Sequence, residues 1–554
     1  MKSPSRSERF WVAGLILSVL VFTSLPYIIG WATSTPDAVF EGFVLDLDDM
    51  HSYLAKMQLG YAGQWQFTIL FTSEPHPPAN IYLFYLALGH LARLLALDLV
   101  VVYHAARLLL GSLFLVTAYA FVASFLEELP ERLLAFFLVC FASGLGWLVL
   151  LVSQSFISGT VTPLDFWFIE MYAFFTVMLF PHTCLALALM LAALALGARF
   201  IDGGTWWAVG GAALCGLGLA AIHPYSLLVV NLVLAIYWLV TFWRRRQTAL
   251  VRLVGLVIMA AAPLPLVVTQ YLSIARNPVL AAWQAQNITI SPPVWYYVLG
   301  YGVVFFLALP GGWWALRRSE GRWPLLPLWL LVAAPLLYAP VIFNLQRRMI
   351  EGAQTPLCIL ATVGIHRYLL PAVRRSRLAG WMAARGYSRE RLGLLVRNLV
   401  VAAALPSTLF LVISACLAAA WNPAFRLSSD EIAVVDWLGE HSAAEDTLLS
   451  SYRIGGFVPA RTGHRVFLGH WCETIDLENK RHAVTQFFGP KGTNDTENDI
   501  ARQDLLQDYG IQFVFYGPHE RTLGIFDPTQ ADYLERVHQQ GDVSVYRVSL
   551  SDNQ

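Results

Sequence analysis

Apolar runs of roughly 18 to 25 residues, separated by short polar or basic loops, fill the first 420 positions of the chain. A helix needs about 20 such residues to cross about 30 Å of hydrocarbon, whereas a membrane β-strand needs about ten, so the pattern predicts helices and excludes a transmembrane barrel. The expected helices lie near 11–32, 183–200, 205–222, 225–242, 249–271, 293–316, 323–343, 353–371 and 395–420. Three further apolar stretches fall at 79–97, 99–126 and 131–152.

Lys and Arg favour the cytoplasmic side of short loops. On that rule Lys2, Arg6 and Arg9 place the N-terminus inside, and Arg244 to Arg246, Arg317, Arg318, Arg322 and the basic stretch from Arg374 to Arg397 label the same side. Alternation then puts 33–78, 154–182, His223, 272–292, 344–352 and everything after about 425 outside. The stretches between 79 and 152 are flanked by two outer loops, so parity allows an even number of crossings and one of the three is partial, re-entrant or surface-lying. The expected total is about eleven crossings in an inner (plasma) membrane, N-terminus cytoplasmic and C-terminus extracytoplasmic. The first apolar run follows a basic flank but is too long for the core of a cleaved signal peptide, and reads as an uncleaved helix.

After Leu427 the pattern becomes that of a soluble domain. Ser428 is placed to cap a helix with Ile432, Val435, Trp437 and Leu438 on its buried face, and TLLSS, IQFVFYG and VSVYRVS read as short strands. The chain therefore divides into a membrane module, 1–424, and a small α/β domain, 425–554. GHWCET (469–474) and GPHERT (517–522) are the two polar loop motifs of that domain, either solvated turns or segments that touch the acceptor across the outer mouth. No phosphate-binding glycine pattern is present, which argues against a cytosolic sugar nucleotide as substrate.

Composition agrees: 57% hydrophobic and 13% charged residues lie outside the range of soluble proteins, whose apolar share is about 45–50%. Thirty-seven basic and 37 acidic side chains leave no net charge and no basic surface for nucleic acid. Five cysteines sit in apolar runs and Cys472 stands alone in the polar tail, so neither a disulfide framework nor zinc spacing is present.

Against this background the ionisable residues at the outer ends of the helices mark a candidate site, because charge near hydrocarbon is costly unless it faces water or a partner. The first outer loop, 33–78, is the densest. Asp46, Asp48 and Asp49 precede His51 and a helical recurrence of Met50, Tyr53, Leu54, Met57 and Tyr61, which predicts an amphipathic helix along the membrane surface. An aspartate there is either a helix cap or a group with chemistry to do, a general base or a metal ligand. Glu74 and His76 stand among Pro75, Pro77 and Pro78 at the mouth of the next helix. Asp165 and Glu170 lie among aromatics in the second outer loop, and His182 and His223 at outer helix ends, suited to donate to phosphate or to move a proton. Gln346, Arg347 and Arg348 emerge on the outer side against the positive-inside tendency, where guanidinium groups can grip a lipid phosphate; Glu351 is spaced to pair with either arginine.

DDMH in the first outer loop and HPP at the start of the next helix resemble the GT-C superfamily of lipid-linked-sugar glycosyltransferases, which includes the protein O-mannosyltransferases and the aminoarabinose transferases. Those families carry Asp-Glu where this chain has Asp48-Asp49, and an HPP-like turn matching His76, Pro77 and Pro78. The basic-aromatic-proline motif of the superfamily is matched only by NLQRRMIEGAQTPL, where Met349 stands in place of Tyr and a single Pro356 follows. The resemblance implies an α-helical polytopic membrane protein of GT-C type. It also implies Asp48 as the base that activates the acceptor and Asp49 as its neighbour in positioning or metal binding, while the chemistry and placement of Gln346, Arg347, Arg348, His182 and His223 suit them to the donor phosphate. His51, Glu74, His76 and Glu351 would then contact substrate. In some members an acid of a later loop joins the first-loop carboxylate at a metal; here Glu170 would join Asp48 around Mg2+ or Mn2+. The implied partners are a polyprenyl-phosphate sugar and a protein, lipid or glycan acceptor.

Two other classes compete. A transporter or flippase of lipid-linked sugars predicts inverted repeats and charges near the bilayer midplane, neither of which is evident. An oligosaccharide polymerase or ligase would use a similar donor without needing the Asp-Asp start. A non-catalytic assembly protein is a third reading. Asn287-Ile-Thr and Asn494-Asp-Thr match the glycosylation triplet, which recurs by chance.

Overall fold

The computed structural model describes residues 5–152, 162–245, 250–318, 321–385, 388–489 and 495–550; Arg246, Asn494 and most of the first part of the 154–182 loop lie outside them. The apolar runs are helices, as only a backbone that satisfies its own hydrogen bonds can cross hydrocarbon. Among the described residues seven are long and apolar enough to span: Arg6–Ala32, Leu99–Ala123, Pro181–Ile201, Ser226–Arg244, Leu250–Ala275, Val294–Arg317 and Asn344–Arg375. Two bent pairs, Leu129–Phe141 with Gly146–Val152 (53°) and Glu390–Ala404 with Pro406–Trp421 (41°), bring the count to as many as nine; Leu83–Leu95, Trp207–Ile222 and Leu325–Leu336 are shorter apolar helices. The chain is a multi-pass membrane protein. Of the three stretches between 79 and 152, the first gives a helix of only 13 residues, too short to span unaided.

The two bends satisfy one another. Pro406 cannot continue a helix, and the freed carbonyl of Ala404 accepts from the Ser143 backbone N–H (2.8 Å) and hydroxyl (3.0 Å) at the other break. In return Thr408 N donates to Ser143 Oγ (3.1 Å), Thr408 Oγ1 to the Phe141 carbonyl (2.9 Å) and Trp147 N to Ser407 Oγ (3.0 Å).

The chain forms two compact units. The first comprises Met1–Leu25, His104–Val268 and Ile288–Ser414 and holds most of the spans. Within it Val294–Arg317 and Gln354–Gly364 touch backbone to backbone: a Cβ on Gly311 would meet the Leu360 carbonyl at 2.0 Å, and one on Gly364 the Leu307 carbonyl at 2.0 Å.

The second comprises Pro26–Tyr103, Thr269–Asn287 and Ala415–Gln554. Strand β1 (Val39–Phe40) pairs antiparallel with β2 (Arg426–Leu427). The remaining strands, β3 (Thr447–Leu449), β4 (Arg465–Val466), β5 (Ile511–Tyr516), β6 (Leu534–Gln540) and β7 (Val543–Val548), make a mixed sheet in the order β4-β3-β5-β7-β6. The expected helix is Ser429–His441, started by a reciprocal capping box between Ser428 and Glu431.

This division differs from the 1–424 and 425–554 expected from composition. One hydrophobic cluster joins Ala55, Leu59, Phe67, Ile69, Leu70, Phe71 and Leu86 to Val434, Val435, Leu438, Leu448, Ile454, Val458, Phe513 and Val545, so the first outer loop completes the core of the C-terminal domain. For the same reason the helix Leu47–Tyr61 does not rest its apolar face on a bilayer. Met50, Leu54, Ala55, Met57 and Leu59 are buried in protein, against Tyr452–Thr462 and Leu83–Leu95. Gly60 and Gly89 permit the second contact, since a Cβ on either would meet a carbonyl oxygen of the other helix at 2.1 or 2.0 Å.

Candidate functional site

The helix Leu47–Tyr61 carries the acidic pair in its first turn. Its N-cap is Asp46, in the left-handed region with no side-chain cap bond, so capping does not explain Asp48 or Asp49. Both are half-buried. The Tyr452 hydroxyl donates to Asp48 Oδ2 at 2.6 Å, and the nearby carboxylate together with burial pushes that phenol well above its usual range. Tyr53 donates to Asp49 Oδ2 at 3.5 Å, and His470 Nε2 stands 3.7 Å from Asp49 Oδ1.

Behind the acids, several polar side chains of the first outer loop meet residues of the C-terminal domain. His51 is buried against Glu41 (3.0 Å), whose other oxygen accepts from Arg453; burial would raise that carboxyl, but His51 and Arg453 hold it below the usual range. Lys56 and Ser52 donate to Glu473 at 2.6 and 2.7 Å in a pair buried on both sides. Burial favours a neutral Glu473, yet the Lys56 ammonium overrides it and keeps the carboxyl low. Lys480 donates to Glu74 (2.7 Å), Thr72 and Ser73 (3.1 Å each), and burial lowers its ammonium below the usual value. His76 accepts from Ile69 N at 3.0 Å on Nε2 and donates from Nδ1 to the Glu74 carbonyl at 2.9 Å. Both ring nitrogens are thus used within the loop.

The segment 469–474 is not a solvated turn. His470, Cys472, Glu473 and Thr474 are buried, and Thr474 Oγ1 accepts from Gly469 N and His470 N (3.1 Å each) while donating to the Phe71 carbonyl (2.9 Å). Backbone N–H groups of Cys472 (3.2 Å) and Glu473 (3.1 Å) point at His470 Nδ1. Burial opposes a charge on this ring, but Asp49 and the Cys472 side chain outweigh it and raise the imidazole well above its ordinary value. The two fixed N–H donors nonetheless decide against the charge: they need a lone pair on Nδ1, so the ring is neutral with its hydrogen on Nε2.

A second cluster lies within the first unit. Arg348 Nη1 donates to Glu170 Oε1 at 2.7 Å and its guanidinium lies 5.6 Å from the Tyr225 ring; Arg347 stacks over Trp167 (4.9 Å) and Phe168 (5.1 Å). Glu351 is bonded to a serine and a histidine. It accepts from Ser226 Oγ at 2.5 Å and is bonded to His223 Nδ1 at 2.8 Å, and the His182 ring sits 5.0 Å from that of His223. Gln346 Nε2 donates to the Ala339 carbonyl at 3.3 Å. The side chains from four separate stretches therefore form one polar cluster, in which Glu170 pairs with Arg348 and Glu351 is bonded to His223 and Ser226.

A divalent cation does not fit these donors. Among the described residues no three His, Cys, Asp or Glu side chains are grouped to hold one, while Asp48 is bonded to Tyr452 and Glu170 to Arg348.

Glu41, Tyr452, Arg453, Lys56 and Lys480 were not singled out by sequence reasoning, and His470 and Glu473 only as part of the polar motif 469–474. Their one local signal was the charge of a Lys within an otherwise amphipathic helix.

No family model and no curated protein matches the chain. Solved structures do. The archaeal oligosaccharyltransferase AglB from Archaeoglobus fulgidus, in complex with an inhibitory peptide and a dolichol-phosphate, is similar with a TM-score of 0.53 at 13% identity, covering 92% of this chain and 70% of that one. Arabinofuranosyltransferase AftD from Mycobacteria gives 0.52 at 14% identity over 98% of this chain; the chain spans 40% of AftD. At such identities the likeness is one of fold, and the fold is of the GT-C type.

Proposed function

We propose that this protein is an integral-membrane glycosyltransferase that moves a sugar from a polyprenyl-phosphate carrier to an acceptor hydroxyl on the extracytoplasmic side. The observation that carries the reading is the half-exposed Asp48-Asp49 pair at a helix start, backed by a buried polar network. It occurs on a fold shared with a transferase whose solved complex holds a peptide and a lipid phosphate. Asp48 is the general base: with Tyr452 on Oδ2, the acceptor proton goes to Oδ1. Arg347 and Arg348, with His182 and His223, are the group that receives a lipid phosphate, where guanidinium forks stabilise the negative charge left on the departing oxygen. One base and one displacement invert the anomeric centre. The basic inner loops support a cytoplasmic N-terminus and an extracytoplasmic C-terminal domain.

The test is release of free lipid phosphate by purified protein from a panel of radiolabelled polyprenyl-phosphate sugars, wild type against Asp48→Asn. Release by the wild type that is lost in the variant while the donor still binds supports the base. Binding without turnover in both proteins sinks the transferase reading in favour of transport or assembly.

A further inference from the structure

Among the described residues, the network behind the acidic pair contains an unused donor on the His470 ring. The His470 ring is 1% exposed and fixed on all sides: its Nδ1 takes the N–H groups of Cys472 and Glu473, the turn that carries it is tied to Phe71 through Thr474, and the Phe71 ring lies 5.4 Å away. Its Nε2–H has no hydrogen-bond partner among the described residues. A buried N–H left unmet is rare in native proteins and calls for an explanation. Asp49 Oδ1 lies 3.7 Å from Nε2, beyond the length of a direct bond. A single oxygen placed to one side of that gap reaches both atoms at about 2.9 Å. It must accept from Nε2–H and donate to a carboxylate, and a hydroxyl does both.

We infer that His470 Nε2–H and Asp49 Oδ1 form a two-point binding site for one hydroxyl of the transferred sugar. This rests on the transferase reading: Asp48 is assigned to the acceptor hydroxyl, which leaves Asp49, the next residue, for the ring that the acceptor attacks. His470 reads the sugar and does not take part in proton transfer, since its neutral tautomer is locked by the backbone of its own turn.

His470→Asn is the informative variant. The Asn Oδ1 occupies the place of Nδ1, so it can accept from Cys472 N and Glu473 N, while the Nε2 donor is removed. With the polyprenyl-phosphate sugar that turns over in the panel, the variant should keep the wild-type melting temperature and lose about tenfold or more in kcat/KM. Monodeoxy analogues of the same donor identify the hydroxyl. One analogue should be impaired on the wild type and no worse than the parent sugar on His470→Asn, whereas the others lose equally on both proteins. Should His470→Asn fail to fold, Asp49→Ala leaves the turn intact and must lose discrimination against one analogue only. Wild-type kinetics in His470→Asn, equal losses for every analogue in both proteins, or indifference of Asp49→Ala to all of them would overturn the inference while Asp48-dependent turnover stands. No turnover of any donor by the wild type removes both.

Discussion

Individual residues in this protein carry unusually definite electrostatic assignments, and two of them translate into stability. Lys56 and Glu473 are both buried, 2.6 Å apart, with the ammonium also 4.3 Å from the Tyr82 ring. Removing one partner strands the other charge in protein, which costs about 3–5 kcal/mol, whereas replacing both by apolar groups of similar size is close to neutral. Lys56→Met should therefore lower the thermal unfolding midpoint in detergent sharply, and adding Glu473→Leu should recover most of the loss; a double variant as unstable as the single would show that the pair is not the cause. His76 gives the pH dependence. Burial lowers its folded value below the ordinary 6.5, so below 6.5 the unfolded chain takes up a proton that the folded ring, with Ile69 N–H on Nε2, refuses. Stability should be flat above that pH and fall as pH drops from 6.5 towards the lowered folded value. A His76→Gln variant should flatten this part of a midpoint-against-pH curve, and an unchanged slope would assign it elsewhere. The Lys56–Glu473 pairing could not be read from the chain, because its partners are 417 residues apart and each has an ordinary polar identity. Arg453 and Glu41 lie 412 residues apart.

At the scale of elements, the interrupted spans are the most exacting feature. Helix breaks at membrane depth survive only where freed backbone groups find protein partners, and here each break supplies the other through Ser143, Thr408 and Ser407. Ser143→Ala strands the Thr408 N–H and should cost about 1–3 kcal/mol. Ser112→Ala, which loses only a hydroxyl bond to the preceding turn of an intact helix, should be nearly silent. Thermal midpoints of the two variants side by side make the check, and equal shifts would refute the pinning. The apolar runs themselves were legible because twenty apolar residues have one structural solution in a bilayer. The bends at 142–145 and 405 were not, since a Pro or Gly marks a weak point without naming what holds it. The helix Leu47–Tyr61 shows the same limit: its periodicity gave the element and the place of the acids, but an apolar face suits protein and lipid equally, and only Leu86 against Gly60 and Ile454 among the core residues decide for protein.

For the whole molecule, the consequence is that the soluble tail is not a domain that composition can cut free. Sequence reading places the boundary where hydropathy falls, at about residue 425, yet folding follows contacts, and the cluster around Val434, Leu448 and Phe513 is closed by Phe67, Ile69 and Phe71. Strand β4 is tied at its open edge to the loop, Val466 N donating to the Leu70 carbonyl at 2.8 Å. A fragment of residues 425–554 would expose that edge and that apolar face together with Glu473, stripped of Lys56, and Lys480, stripped of Glu74. Exposed strand edges beside apolar surface promote association. The fragment alone should be aggregated or bind a hydrophobic dye with no cooperative melt, and joining it to residues 33–98 should restore a single transition. A monomeric 425–554 fragment with a dispersed amide spectrum and a sharp melt would mean that the loop merely rests on a finished domain. In that case the buried network would no longer be a sufficient reason for Asp48 and Asp49 to hold their geometry. If instead the loop is needed, the acids are set by the same core that folds the domain, and mutations far from them in β3 or β5 should lower turnover in proportion to lost stability.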